Sequence, residues 1–341
     1  MTTNFGLVGY GLWGKHHARV VRASPHCRLA AIACASAATA AIARSDFPDV
    51  PVVIGYQALL DLPQVDAVDI VVPNHLHAEI ATAALASGRN VLLEKPLALT
   101  LAECDRIIEA EHQARRTLSV VHQFRLSTQW GRIKTMIDAG DIGEPRYANA
   151  SLFRFPFRPG SDGWRYQRSR VGSWILEEPV HFFDSVMWYF DSLGEPISVS
   201  AVGNSRQPEA GLVDNFSCAL RWSGGAYATI TQTLTAFENH QTVEVVGTQG
   251  SIRAWWSGAS DRTPHPTFEL KHSVPGGTSG EVVDIGPSGE VVELAETFAR
   301  IDSAFSTHQP LVSAKEARKR IVVCLEAERA LTSEMPVSLS F

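Results

Sequence analysis

Phe5-Gly6-Leu7-Val8-Gly9-Tyr10-Gly11-Leu12-Trp13-Gly14 decides how the first third of the chain is read. The apolar start reads as a strand. Gly9-Tyr10-Gly11-Leu12-Trp13-Gly14 fits G-x-G-x-x-G where that strand gives way to a helix predicted over about 11–22. In this setting each glycine has a physical task. The first permits a tight turn, the second lets backbone approach a pyrophosphate, and the third lets helix pack on strand. The helix N-terminus then offers N–H groups and a partial positive charge to phosphate oxygens.

Outward from this turn, short apolar runs alternate with Ala-rich stretches. Strands are predicted at 28–34, 52–54, 67–72 and 91–94, with helices at 37–44, 56–60, 80–87 and 101–115. Runs without alternation are buried on both faces, and strands alternating with helices imply a parallel sheet. The fold class is α/β, with a doubly wound parallel sheet. The texture changes after Thr117-Leu118-Ser119-Val120-Val121. A helix at 128–139 is followed by period-2 strands at 146–153, 197–202, 216–222, 226–233, 242–246 and 251–255. Gly224-Gly225 and Thr248-Gln249-Gly250 sit where hairpin turns belong. This predicts a mainly antiparallel sheet interrupted by a helical insertion near 174–190. The stretch 257–290 is a loop region with two candidate edge strands, and helices follow at 289–305 and 314–332.

Composition narrows the class. The chain has 341 residues, 45% hydrophobic and 19% charged, which excludes disordered, collagenous and coiled-coil architectures. Two domains are expected at this length. A net charge of −6 carries no basic field for nucleic acid. No apolar run reaches the roughly 18 residues of a membrane helix, and the start MTTNFGLVGYG lacks the pattern of a signal peptide. Cys27, Cys34, Cys104, Cys218 and Cys324 contain no C-x-x-C, as expected of reduced thiols in the cytoplasm.

At the ribose-reading end of the second strand, Ala33-Cys34-Ala35-Ser36 holds no carboxylate, and the next basic residue is Arg44. Ser36 can hydrogen-bond a ribose hydroxyl or a 2′-phosphate, so NAD and NADP both stay open. Pro73-Asn74 and Glu94-Lys95-Pro96 follow further strands of the parallel sheet, where ligands bind. Asn74 and Lys95 should therefore face the crevice of the glycine turn. His16-His17 reads as a solvated helix start.

These segments together resemble the Gfo/Idh/MocA oxidoreductases. The resemblance rests on the glycine motif, on P-N-x-x-H at Pro73 to His77, on Glu94-Lys95-Pro96, on Gly140-Asp141-Ile142-Gly143-Glu144-Pro145, and on Trp164-Arg165 ahead of a His-bearing helix. It implies an N-terminal Rossmann domain over 1–122. It also implies a substrate-binding and oligomerisation domain over 123–341 with an open, mainly antiparallel sheet. The cofactor site would use Gly9, Tyr10, Gly11, Leu12, Trp13 and Gly14, with Ser36, Pro73, Asn74, His77, Glu94 and Lys95. The implied activity is oxidation of a sugar or cyclitol hydroxyl, or reduction of the ketone, in a homodimer or homotetramer packed through that sheet. A glycosidase that retains NAD and a non-enzymatic nucleotide-sensing regulator are the alternatives.

Gly172-Ser173-Trp174-Ile175-Leu176-Glu177-Glu178-Pro179-Val180-His181 matches the family's motif of an acid four residues before a histidine, with Glu177 where Asp is usual. Residues four apart share a helix face, but Pro179 interrupts such a helix. Histidine suits proton transfer at neutral pH, and a fixed ammonium stabilises a developing alkoxide. His181 is thus the expected general base or acid, Lys95 its cationic partner, and Glu177 a group that orients the histidine or binds a sugar hydroxyl. Substrate contacts are expected from Gln123, Arg125, Arg154, Trp164 and Arg165, with Phe153, Tyr166 and Arg168 beside them. No metal is expected, although Glu177, His181 and Asp184, or His75, His77 and Glu79, are of metal-binding type.

Overall fold

The computed structural model describes residues 2–273, 277 and 279–341, and counts below are of these residues. In chain order the elements are β1 (Thr3–Val8), α1 (Leu12–Ala23), β2 (Cys27–Cys34), α2 (Ala37–Asp46), β3 (Val52–Ile54), α3 (Tyr56–Leu60), β4 (Ala67–Ile70), α4 (His77–Ala86), β5 (Asn90–Glu94), α5 (Leu101–Ala114) and β6 (Leu118–Val121). There follow α6 (Trp130–Asp138), β7 (Pro145–Phe153), α7 (Arg168–Val171), α8 (Trp174–Glu177), α9 (Val180–Tyr189), β8 (Ser198–Asn204), β9 (Asn215–Arg221), β10 (Tyr227–Thr233), β11 (Asn239–Gly247), β12 (Ser251–Gly258), β13 (Thr267–Ser273), β14 (Glu281–Val282), α10 (Glu290–Thr307), α11 (Ala314–Ser333) and β15 (Val337–Ser338).

The chain divides into two compact units. One comprises Met1–His122, Ser169–Val171 and Leu294–Ile321; the other comprises Gln123–Arg168, Gly172–Glu293 and Val322–Phe341. The sequence reading put all of 123–341 in the second domain. The return of 294–321 to the first unit has a plain cause. Leu294, Phe298, Ile301 and Phe305 recur at helical spacing, and this stripe is buried among Phe5, Leu7, Val21, Leu29 and Ile32. Phe298 meets Phe5 edge to face at 5.4 Å.

The first unit's sheet has order β3-β2-β1-β4-β5-β6, and every pair is parallel. Its order reverses between β1 and β4, which is where ligands enter such sheets. Strand β4 is wholly buried, as its non-alternating run, apolar but for one residue, requires. The one charge in that run, Asp69, is buried with it. Helix α5 starts on a capping box in which Thr100 accepts from the Glu103 N–H and Glu103 answers the Thr100 N–H.

The second unit's sheet runs β14-β13-β12-β11-β7-β10-β9-β8-β15. Its strands pair antiparallel except for β7 and β10, which are parallel. Helix α9 packs on β7 and β10. Along β11 buried and half-buried residues alternate, as a sheet with one packed and one open face demands. The insertion predicted near 174–190 is two helices, because Glu178 leaves helical geometry (φ −131°, ψ −51°) and Pro179 caps α9.

Candidate active site

The glycine turn has the geometry its sequence requires. Gly9 has φ +104°, and a Cβ there would stand 2.1 Å from the Val71 carbonyl oxygen. A Cβ on Gly14 would stand 2.1 Å from the Gly9 oxygen. Gly11 is different: a Cβ there would meet nothing within 4 Å. The first and third glycines are therefore needed by the protein's own packing, and the second keeps space clear for something outside the chain. Gly11 also precedes α1 without a side-chain cap, leaving backbone donors of the first turn for a ligand. A dinucleotide pyrophosphate fits this cradle.

Several side chains near the turn face inward. Tyr10 is buried and donates to Asp46 Oδ2 at 2.7 Å, so only its backbone borders the turn. Burial and the Asp46 carboxylate push its phenol well above the usual range. Trp13 donates from Nε1 to Glu94 Oε1 at 2.7 Å. Leu12 is exposed. Ser36 caps α2, accepting from the Thr39 N–H at 3.2 Å.

Asn74, His77 and Glu94, expected at the cofactor, also have partners within the protein. Asn74 donates to the Val171 carbonyl at 3.1 Å. His77 is fully buried, with Nδ1 2.6 Å from the Pro96 oxygen and Nε2 3.0 Å from the Val72 oxygen. It ties the loop after β4 to the loop after β5. Glu94 is buried and carries the Trp13 bond, a contact to His17, and the Lys95 peptide N–H at 3.2 Å. Lys95 itself is half-buried, and its bond to Pro96 is cis.

His17 is the clearest correction. It is not a solvated helix start but fully buried. Its Nδ1 lies 2.8 Å from Asp69 Oδ2 and its Nε2 3.1 Å from Glu94 Oε1. Burial alone would lower its pKa, yet the charge and hydrogen bond of Asp69, with Glu94 behind them, raise it to about 9. A charge inside the apolar run AVDIVV was the sequence signal for this, since a buried carboxylate demands a partner.

In the second unit, Gln123 and Arg125 lie on a 3₁₀ turn, Gln123–Leu126. Arg125 clamps Asp184 through two bonds of 2.9 and 2.6 Å and lies over Trp188. That guanidinium braces α9. His181 is buried in the first turn of α9, its ring stacked on Phe124 at 4.8 Å. Glu177 closes α8 and takes the Arg165 guanidinium at 2.5 Å. Because the chain breaks at Glu178-Pro179, Glu177 and His181 do not share a helix face. Trp164 is buried beneath Arg165 at 4.5 Å, so Trp164, Arg165 and Glu177 form one cluster. Arg154 belongs elsewhere, in a network with Glu178 at 3.6 Å and Asp261 at 3.4 Å. Arg262 and Glu290 extend that network at 3.2 Å; the sequence reading gave none of its acids a role. The Gln123 Oε1 atom is buried with no hydrogen-bond partner among the described residues. No group of three or more metal-ligating side chains is found among those residues.

A glycine cradle at the switch point of a six-stranded parallel sheet defines an NAD(P)-binding Rossmann protein. Residues 3–122 match the oxidoreductase family GFO_IDH_MocA, NAD-binding Rossmann fold, and residues 130–253 match the GFO/IDH/MocA C-terminal domain. The chain therefore belongs to the GFO/IDH/MocA oxidoreductase family. It is 30% identical to levoglucosan dehydrogenase of Pseudarthrobacter phenanthrenivorans over 73% of this chain and 72% of that one. It is 29% identical to inositol 2-dehydrogenase 1 of Saccharopolyspora erythraea over 74% of each. Among solved structures, a levoglucosan dehydrogenase in complex with NADH and levoglucosan shares the fold, with TM-score 0.84 and 24% identity over the whole of both chains.

Proposed function

We propose that this oxidoreductase is an NAD(P)-dependent dehydrogenase that oxidises a secondary hydroxyl of a sugar, sugar derivative or cyclitol, or reduces the corresponding ketone. Lys95 and His181 handle the hydroxyl proton. The observation that carries this reading is the position of Lys95. It follows β5, at the same carboxyl end of the parallel strands as the glycine turn, between a peptide N–H held by Glu94 and a Pro96 carbonyl held by His77. The names of the relatives, dehydrogenases of levoglucosan and of inositol, support the substrate class.

The nicotinamide, when bound, supplies the acceptor or donor for the hydrogen on carbon. The chain's residues manage the oxygen. His181 takes the hydroxyl proton on its imidazole, and the Lys95 ammonium stabilises the oxygen as negative charge builds there. We assign Arg165, Glu177 and Trp164 to the sugar's hydroxyls and ring face, with the buried acceptor of Gln123 as a further contact. Arg125 and Arg154 act by bracing the segments on which these groups sit. The cofactor is NAD or NADP, since β2 ends without a carboxylate and Ser36 can donate to either form. We place the enzyme in the cytoplasm on its five buried thiols.

The test is absorbance of the reduced nicotinamide with NAD and with NADP against monosaccharides, glycosides, inositols and sugar acids. Lys95→Met and His181→Asn should each lower kcat about 10²-fold or more. Near-native turnover in either variant removes that residue from the chemistry. Substrate consumption without net nicotinamide reduction would favour a glycosidase that retains its cofactor.

A further inference from the structure

Three charged groups lie buried together in the first unit, and of these the motifs assigned a role only to Glu94, at the cofactor. His17 stands between Asp69 of β4 and Glu94 of β5, with both ring nitrogens on carboxylate oxygens. With both carboxyls ionised each ring nitrogen carries an N–H and the ring is an imidazolium; burial pushes the Asp69 carboxyl up, and the charge and hydrogen bond of His17 pull it partly back down. Glu94 is the centre of the arrangement. Its Oε1 receives the Trp13 indole and the His17 ring, and its Oε2 receives the Lys95 peptide N–H. The Lys95 charge also acts on Glu94, helping the His17 contacts hold that carboxyl below its ordinary range against the effect of burial. The charges of Asp69, His17, Glu94 and Lys95 sum to zero. Without His17 the carboxylates would outnumber the cation, in a place where an uncompensated charge is costly.

We propose that His17 is a positioning residue for the reaction: its imidazolium offsets the Glu94 carboxylate and holds it on the Lys95 peptide, fixing both the place and the charge balance of the Lys95 amine. This rests on the reading of Lys95 as the cationic partner in proton transfer. His17 never meets substrate; it acts through Glu94. Trp13 makes the glycine turn part of the same device, because the helix that begins at that turn carries both Trp13 and His17.

The test is competitive acetylation of the full-length protein without dinucleotide, with the Lys95 peptide followed by mass spectrometry and Lys15 and Lys271 as references. Acetic anhydride reacts with the uncharged amine, so labelling reports the local field. His17→Gln leaves Glu94 without its offset and should slow Lys95 labelling about threefold or more. Glu94→Gln leaves the His17 cation unopposed and should speed it by about as much. Opposite directions are the signature, because simple loosening of the structure accelerates both. Rates that are unchanged, or that move the same way, overturn the proposal. If His17→Gln does not fold, Glu94→Gln decides alone: acceleration confined to Lys95 supports the proposal, and acceleration at all three lysines or at none overturns it. Lys95→Met separates the two claims. Turnover in that variant removes Lys95 from proton transfer while leaving the labelling result to stand or fall by itself.

Discussion

At the scale of single residues, the glycine turn makes a separable prediction. Gly14→Ala would drive its Cβ against the Gly9 oxygen, so both the thermal midpoint and dinucleotide affinity should fall. Gly11→Ala meets no atom of the protein. It should leave the midpoint unchanged and still weaken NADH binding about tenfold or more, because the methyl occupies the space a pyrophosphate needs. Fluorescence titration with NADH beside thermal melting checks the pair; unaltered affinity in Gly11→Ala would contradict the proposed cradle. The glycines and the Lys95 segment were legible in the sequence because each carries a backbone demand that few other residues meet. Side-chain direction was not. Asn74, His77 and Glu94 stand in the expected segments but turn to Val171, to two backbone carbonyls, and to Trp13 and His17. Spacing along a chain says which loop a side chain leaves from, not which partner it finds.

At the scale of elements, the first turn of α10 holds two carboxyls, Glu293 buried and Glu290 half-buried. Burial, with Asp261 and Glu178 opposing Arg262, raises Glu290 from 4.5 to about 8. Burial raises Glu293 to about 7 although Ser127 and Ser288 donate to it. Both bind a proton more tightly folded than unfolded. Their contribution to stability is therefore full below about pH 4.5 and is lost as pH rises through about 7 to 8. His17 adds the same sign between 6.5 and about 9. The thermal midpoint should drop between about pH 5 and about pH 8, and a Glu290→Gln, Glu293→Gln double variant should flatten that slope. An equal slope in parent and variant would place the titration elsewhere. The helix itself was readable from its apolar stripe. Its burial with Phe5 and Leu29 was not, since periodicity reveals that a stripe exists and is silent about which core it fills. The break between α8 and α9 was readable at Pro179, and it removes the shared helix face on which Glu177 and His181 were first compared.

At the scale of the whole molecule, the nine-stranded sheet leaves a face on which Phe153 and Tyr227 are exposed. An open groove of about 630 Å³ lies there, lined by Asn149, Ser151, Thr231, His240, Thr242 and Trp255 among others. We propose that a second copy covers this face. Sedimentation at micromolar concentration should return a dimer or tetramer, and Thr231→Arg should reduce it toward the single chain. A monomer in the parent protein would leave the face to some other role. No helix among the described residues is long and apolar enough to cross a membrane. The two sheets were legible from the switch between unbroken and alternating apolar runs, because each pattern is the direct imprint of how many faces are buried.

The return of 294–321 to the nucleotide-binding unit bears on how this enzyme could be recombined. A chimaera spliced at residue 122 would carry Phe5 and Leu29 into its new host without Phe298 and Ile301, the neighbours that cover them. Exchanging cofactor preference by grafting thus means transplanting two distant stretches together. Kinship in this protein is divided between its beginning and a passage near its end.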